Sequence, residues 1–281
     1  VVMPTYNRAH FISKAMDSVW DQTYRPIELI VVDDGSTDST VDVVSKWSQK
    51  TKQDEQFGFQ YVKQEKQGAP TARNLGLIKC SGEFIQYLDT DDTLHPKRVE
   101  LCIGPLLKNK QLSLTVTAYG IIDEGRYRAY SISQAPDINS SRAVAECCKK
   151  SLGIGRPFYR RDVVWHVGPW HEGLPRSQDW EYGLRVAIGF HGKACIIEDP
   201  LYIHHYHQDS QIGDRGGDWP ITAFLRACAI FRLIDLNKQE IWDILLRRAI
   251  YYSLFAGCSS SLREMALKTH SSVSWRAVAL L

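Results

Sequence analysis

Residues 83–98, "EFIQYLDTDDTLHPKR", run from an apolar stretch straight into three carboxylates within four positions: Asp89, Asp91 and Asp92. Glu83 to Leu88 is short, carries β-branched and aromatic side chains, and follows Ser81-Gly82, so it reads as a strand. If the extended backbone continues through Thr90, Asp89 and Asp91 share a face and set two like charges close together. Such a pair resists double ionisation unless a cation or a ligand's donors offset it. The competing reading is a solvated turn capping a helix that starts near Pro96, with Asp92 or Thr93 as N-cap. That accounts for Asp92 and leaves Asp89 and Asp91 as a candidate hard-cation site.

Upstream the pattern alternates strand, loop and helix. "VVMP" is a strand ended by Pro4, and residues 8–23 put Phe11, Ile12, Ala15, Met16, Val19 and Trp20 on one helical face. "IELIVVDDGS" is an apolar strand closed by a turn, and "DSTVDVVSKWSQK" a helix capped by Asp38 or Ser39. "FQYVKQ" and "APTARNLGLIKC" supply a third strand and a third helix. This order predicts an α/β fold with a mostly parallel sheet and right-handed crossovers. Ligands of such sheets sit beyond the carboxyl ends of the strands. That rule brings Thr5-Tyr6-Asn7, Asp33-Asp34 and Asp89-x-Asp91 to one edge. Asp34 could accept a hydrogen bond from a nucleobase imide or a ribose, or simply close an Asx-type turn. Tyr6 could stack on a base or be a half-buried aromatic. The first turn, "MPTYNR", has no G-x-G-x-x-G and no P-loop follows, so a nucleotide would be held by carboxylates and a metal.

Bulk properties narrow the function classes. The chain has 281 residues, 44% apolar and 23% charged, with a formal net charge of +2, too small to argue for a nucleic-acid partner. Its seven cysteines contain no C-x-x-C pair and read as reduced, mostly buried thiols. No apolar run approaches the ~20 residues of a membrane span, and no signal peptide precedes Val1, which itself falls in a strand; the expectation is a piece of a longer protein.

Further along, Asp179 and Glu181 open a helix, where a first-turn carboxylate is favoured by the helix dipole alone. His204, His205 and His207 cluster, but cysteine or acidic partners at zinc spacing are missing. Trp165, Trp170 and Trp180 invite a sugar-stacking reading against one of core packing. Arg215-Gly216-Gly217 reads as a flexible lid. Beyond Trp219 the composition turns helical, with Ile241, Leu245, Ala249 and Tyr252 in an apolar stripe that either packs on the rest of the chain or lies on a membrane surface.

Together "VVMPTYNR", "ELIVVDDGSTDST", "GAPTARNLGL", "GEFIQYLDTDD" and "SQDWEYGLR" resemble glycosyltransferase family 2, inverting nucleotide-sugar enzymes of the GT-A fold, over residues 1 to roughly 210. The resemblance implies a GT-A sheet flanked by helices. Residues 1–105 would form its nucleotide-sugar-binding half, 106–215 its acceptor and catalytic half, and 216–281 a C-terminal helical extension. It implies that Asp91 binds Mn²⁺ or Mg²⁺ with Asp89 nearer the ribose, and that Pro4, Thr5, Tyr6 and Asp34 line the nucleotide pocket. Asp179 becomes the general base, with Glu181 the weaker candidate, and His207 the histidine that reaches the metal or the diphosphate. The family reads Glu-Asp where this chain has Gln178-Asp179. The implied partners are a nucleotide-sugar, a UDP-sugar by family frequency, and a glycan or lipid-linked acceptor, in polysaccharide or glycolipid synthesis. The implied location is cytoplasmic, with membrane association through the C-terminal helices. A sugar-phosphate nucleotidylyltransferase would need a Gly-rich first loop in place of "PTYNR". A catalytically inactive nucleotide-sugar-binding module stays open.

Overall fold

The computed structural model describes residues 1–207 apart from 173, 175, 176 and 191. The expected C-terminal helical extension, its apolar stripe and the Arg215–Gly217 lid lie outside the described residues. The apolar run Val1-Val2-Met3-Pro4 leads into Thr5 and makes β1 (Val2–Thr5), followed by α1 (Ile12–Trp20), β2 (Ile27–Asp33), α2 (Thr40–Ser48), β3 (Phe57–Lys63) and α3 (Ala69–Lys79). β1, β2 and β3 are parallel in the order β1-β2-β3, with Val2 opposite Ile30 and Thr5 opposite Asp33. Successive β2 side chains face opposite ways, so Ile30 and Val32 join one apolar layer and Leu29 and Val31 the other. Burial on both faces is why this strand reads as a continuous apolar run. Gly76 lets α3 lie directly on β1, because a Cβ there would overlap the Val2 side chain.

The segment from Glu83 to Leu88 departs from a long regular strand. Only β4 (Phe84–Ile85) is laddered, while Gln86 to Leu88 run beside β1 through Val2 N to Gln86 O (2.8 Å) and Leu88 N to Val2 O (3.0 Å). β5 (Thr93–Leu94) and α4 (Arg98–Lys108) follow, then β6 (Leu114–Asp123), β7 (Arg126–Tyr130), α5 (Ala143–Lys149), β8 (Pro157–Arg160), α6 (Arg161–Val167), α7 (Gln178–Phe190) and β9 (Ala194–Tyr206). These strands run β4-β8-β6-β9-β5, with β7 hairpinned onto β6. β9 lies parallel to β6, whereas β8 and β5 are antiparallel to their neighbours. A parallel first half thus continues into a mixed second half. Among the described residues no helix is long and apolar enough to cross a membrane, and Cys80, Cys102 and Cys147 are free, buried thiols.

The two expected helix caps resolve differently. Ser39 is the N-cap of α2 but makes no side-chain cap bond; Asp38 accepts from Thr40 N at 3.0 Å instead. Neither Asp92 nor Thr93 caps α4, whose N-cap is Lys97. Both are committed to β9, Thr93 through the ladder opposite Ile203 and Asp92 through side-chain bonds described below.

A fully buried cation knits the second half. Arg98, at the start of α4, donates from Nε to Gln86 Oε1 (2.7 Å), from Nη1 to Thr117 Oγ1 (2.8 Å), and from Nη2 to the carbonyls of Gly155 (2.6 Å) and Arg156 (3.0 Å). Burial lowers the proton affinity of the guanidinium, and the four acceptors offset the lost water. Gly155 must be glycine here, since a Cβ would overlap the Tyr202 ring. Arg98→Met roughly keeps volume but leaves Gln86 Oε1 and Thr117 Oγ1 without their donor, while the Gly155 and Arg156 carbonyls each keep one other donor, Gln86 Nε2 (2.9 Å) and Thr117 N (3.3 Å). It should cost about 3 kcal/mol or more in urea unfolding; a loss below about 1 kcal/mol would mean that the network is dispensable.

Candidate functional site

The carboxyl edge of the sheet opens into a cleft of about 880 Å³, lined on one side by Pro4, Thr5, Tyr6 and Asp34 and on the other by Gln178 and Asp179, with Asp89 to Asp92 between them. Every predicted site residue except His207 and the weaker base candidate Glu181 lines it.

Asp89 to Asp92 do not continue the strand. They form a turn closed by Asp92 N to Asp89 O (3.1 Å), with Thr90 Oγ1 donating to Pro4 O (3.2 Å). Strand alternation therefore does not bring Asp89 and Asp91 together; the turn does, and it disperses their partners. Asp89 Oδ1 accepts from Arg73 Nη2 at 2.9 Å. Asp92, buried, accepts from the Tyr202 hydroxyl (2.7 Å) and His205 N (3.2 Å) and lies 3.0 Å from His204 Nδ1. Burial acts to lower the His204 proton affinity, but the Asp92 hydrogen bond and charge outweigh it and raise it.

Asp91 has fewer hydrogen-bond partners than Asp92 and no close ion pair like that of Asp89 with Arg73. Arg8 Nε is 4.0 Å away and His207 Nε2 is 3.3 Å from Oδ2. Burial, then the Asp89 and Asp92 charges, push its carboxyl up to about 6. The His207 ring is held by stacking on Phe11, centroids 4.3 Å apart. No group of three or more His, Cys, Asp or Glu side chains that could hold a metal occurs among the described residues. His205 of the histidine cluster is 2.8 Å from Thr93 Oγ1 and 3.3 Å from Lys14 Nζ.

At the other end, Asp34 is buried and accepts from Gln64 Nε2 (2.7 Å), Gln67 N (2.7 Å) and Gly68 N (2.8 Å), fastening the loop that starts α3. Three donors leave about one acceptor position on the carboxylate. Its neighbour Asp33 points inward, bonded to Ser36 N (2.7 Å) and to the Tyr61 hydroxyl. Tyr6 lies under Lys66, whose Nζ is 3.8 Å from the ring centroid. Thr5 Oγ1 and Arg73 Nε are buried without a protein hydrogen-bond partner.

On the opposite wall, Asp179 Oδ2 accepts from Ser151 Oγ at 2.5 Å. Glu181 is excluded from a base role: it is buried and bound at both oxygens by Arg185, at 2.8 and 2.7 Å. Trp170 and Trp180 are core residues; Trp170 stacks on Tyr182 with centroids 4.1 Å apart, and only Trp165 is exposed. Sequence reading missed Arg8, Lys66, Arg73 and Ser151 as site residues. Arg73 carried a signal, since it lies inside "GAPTARNLGL", where a helix's first turns meet the cleft.

The glycosyl transferase family 2 model matches residues 1–168. The chain belongs to glycosyltransferase family 2. A relative in Nostoc sp., named an uncharacterized glycosyltransferase, is 34% identical over 285 residues, covering 98% of this chain and 83% of the relative. The match to a glycosyltransferase of Rickettsia bellii, 34% identical, covers 45% of this chain and 18% of the relative; that to GlyA of Streptococcus pneumoniae, 36% identical, covers 36% and 14%. For these relatives the match spans well under two thirds of their length. Among solved structures, residues 1–349 of Staphylococcus aureus TarS in complex with UDP-GlcNAc superpose with a TM-score of 0.70 at 18% identity, covering 92% of this chain and 73% of that one. A mannosyltransferase from Pyrobaculum calidifontis in complex with GDP-Man and Mn²⁺ gives 0.59 at 17%, covering 99% and 76%. At such identities these likenesses establish the shared GT-A fold.

The raised Asp91 carboxyl carries a stability consequence. A carboxyl held above its unfolded value disfavours the fold once ionised, so this cost is absent below about pH 4, builds up to about pH 6 and is complete above it. The shift of about two units corresponds to at most about 3 kcal/mol. Asp91→Asn should therefore be more stable than the native chain at pH 7.5, and the difference should shrink to about a third at pH 4.5 and vanish below about pH 4. Urea midpoints across that range decide it; a pH-independent difference would refute the assignment.

Proposed function

We propose that the protein is a metal-assisted inverting glycosyltransferase that moves a sugar from a nucleoside-diphosphate donor to an acceptor hydroxyl by single displacement. The observation that carries this is one cleft holding an under-compensated carboxylate, Asp91, between a hydrogen-bonding floor around Asp34 and the carboxylate of Asp179 on the far wall. Tyr6 and Asp34 would receive the base, and Thr5 and Asp89 the ribose side. Asp91 and His207 would hold a divalent cation, Mn²⁺ or Mg²⁺, with phosphate and water oxygens supplying the remaining ligands. When bound, that cation neutralises charge developing on the departing diphosphate. Asp179, oriented by Ser151, takes the proton from the acceptor hydroxyl as it attacks opposite the leaving group.

A uridine donor is supported by the TarS complexes with UDP and UDP-GlcNAc. The acceptor is read as a glycan or lipid-linked hydroxyl, and the setting as the cytoplasmic side of a membrane.

Asp179→Asn should keep UDP affinity within about threefold and lose about 10²- to 10⁴-fold in turnover. Asp91→Asn should make UDP binding insensitive to Mn²⁺. Calorimetry with UDP and Mn²⁺, run beside nucleotide-release assays over UDP-, GDP- and dTDP-sugars, checks both. Full turnover by Asp179→Asn would remove it as the base, and binding with no turnover across the donor panel would favour an inactive nucleotide-sugar-binding module.

A further inference from the structure

Gln178 stands where the family's Glu would be, directly before Asp179, and its amide is used in both directions. Oε1 accepts from Arg73 Nη1 at 2.8 Å, and Nε2 donates to the Leu174 carbonyl at 2.9 Å. Arg73, 3% exposed, passes the link on through Nη2 to Asp89 Oδ1 at 2.9 Å, while its guanidinium lies 4.9 Å over the Trp170 ring. A single chain of contacts therefore runs from the segment preceding α7, through Gln178 and Arg73, to the Asp89 turn. The residue before Gln178, Ser177, holds φ at +53°, a left-handed conformation that a non-glycine residue keeps only when its surroundings enforce it.

We infer that Gln178 is a positioning residue, a two-way amide latch that aligns Asp179 by tying the start of α7 to Arg73 and, through it, to the donor-side carboxylate Asp89. The neutral amide is required for two reasons. An ionised Glu has no proton to give, so one of its oxygens would face the Leu174 carbonyl, acceptor against acceptor. It would also compete with Asp89 for Arg73, dividing an ion pair that Gln178 leaves whole.

This inference rests on Asp179 being the acceptor-activating group, and its test has one arm free of that reading. Gln178→Glu is close to isosteric but lacks the N–H donor, and Gln178→Met lacks both functions. In the full chain, with UDP-GlcNAc and Mn²⁺ and water as acceptor, both should lose about tenfold or more in kcat while UDP affinity stays within about threefold. Without any ligand, exchange of the first hydrogen-bonded amides of α7, Glu181 (bonded to Ser177 O at 3.0 Å) and Tyr182, should quicken about tenfold in both variants, with unchanged exchange in β2. Native exchange at α7 in both variants, or native kcat in both, overturns the latch. Should the native chain release no UDP from any donor, the reading of the cleft fails by itself, and the exchange arm alone decides the latch.

Discussion

Three carboxylates in one four-residue turn cannot share one environment. At an effective dielectric near 20, two unit charges about 5 Å apart repel by about 3 kcal/mol, comparable with a large share of a domain's net stability. The fold meets this by giving each carboxylate partners from a different part of the chain. Arg73 on α3 takes Asp89; Tyr202, His204 and the His205 amide on β9 take Asp92. Asp91 is left with His207 and a distant Arg8. Much of the topology serves this division. β9 must return beside β5 to deliver its donors, and α3 must lie tightly on β1 to bring Arg73 across, which is what Gly76 permits.

A second buried charge makes that return possible. Arg98 has no carboxylate in its hydrogen-bond set, only carbonyl and side-chain oxygens. Its donors gather α4, the fourth-strand segment, β6 and the approach to β8 around one point. Tyr202 packs against both sides of this arrangement: its ring abuts Gly155 while its hydroxyl binds Asp92. Core packing and site geometry are joined at that side chain.

Local chemistry was legible where neighbours in sequence decide the outcome. β1, β2, β3 and the first three helices follow from apolar periodicity, and the cleft edge follows from where parallel strands end. What failed to show in sequence was every feature set by distant partners. Asp92 looked like a helix cap because its partners on β9 lie more than a hundred residues away. Thr90 looked extended because nothing local announces the bond to Pro4. Glu181 looked available because an Arg four residues on is an ordinary helix-surface pattern, whereas burial of the pair is a tertiary fact. Arg73 looked like an ordinary helix residue until Asp89 and Gln178 were seen on either side of it. The mixed order of the second sheet has the same origin, since antiparallel and parallel neighbours of β6 differ only in where the chain returns.

Asp34 and Asp91 define a polarity along the cleft. Asp34 faces backbone and side-chain N–H groups at the start of α3, so its need for donors is nearly met and a ligand need offer only one more. Asp91 is buried beside two other carboxylates and holds its proton up to about pH 6, so what it lacks is positive charge. A ligand matched to both ends carries a neutral hydrogen-bond donor at one side and, at the other, oxygens that share a cation. Of the positive groups that line the cleft, Arg73 pairs with Asp89 on the wall leading to Asp179, and Lys66 covers the Tyr6 ring. On the proposed function, selectivity for a nucleoside diphosphate would not need a glycine-rich cradle. It would arise from the order in which the cleft's charges are compensated, with the floor nearly complete, the centre deficient, and Asp179 on the far wall as the carboxylate proposed to meet the incoming hydroxyl.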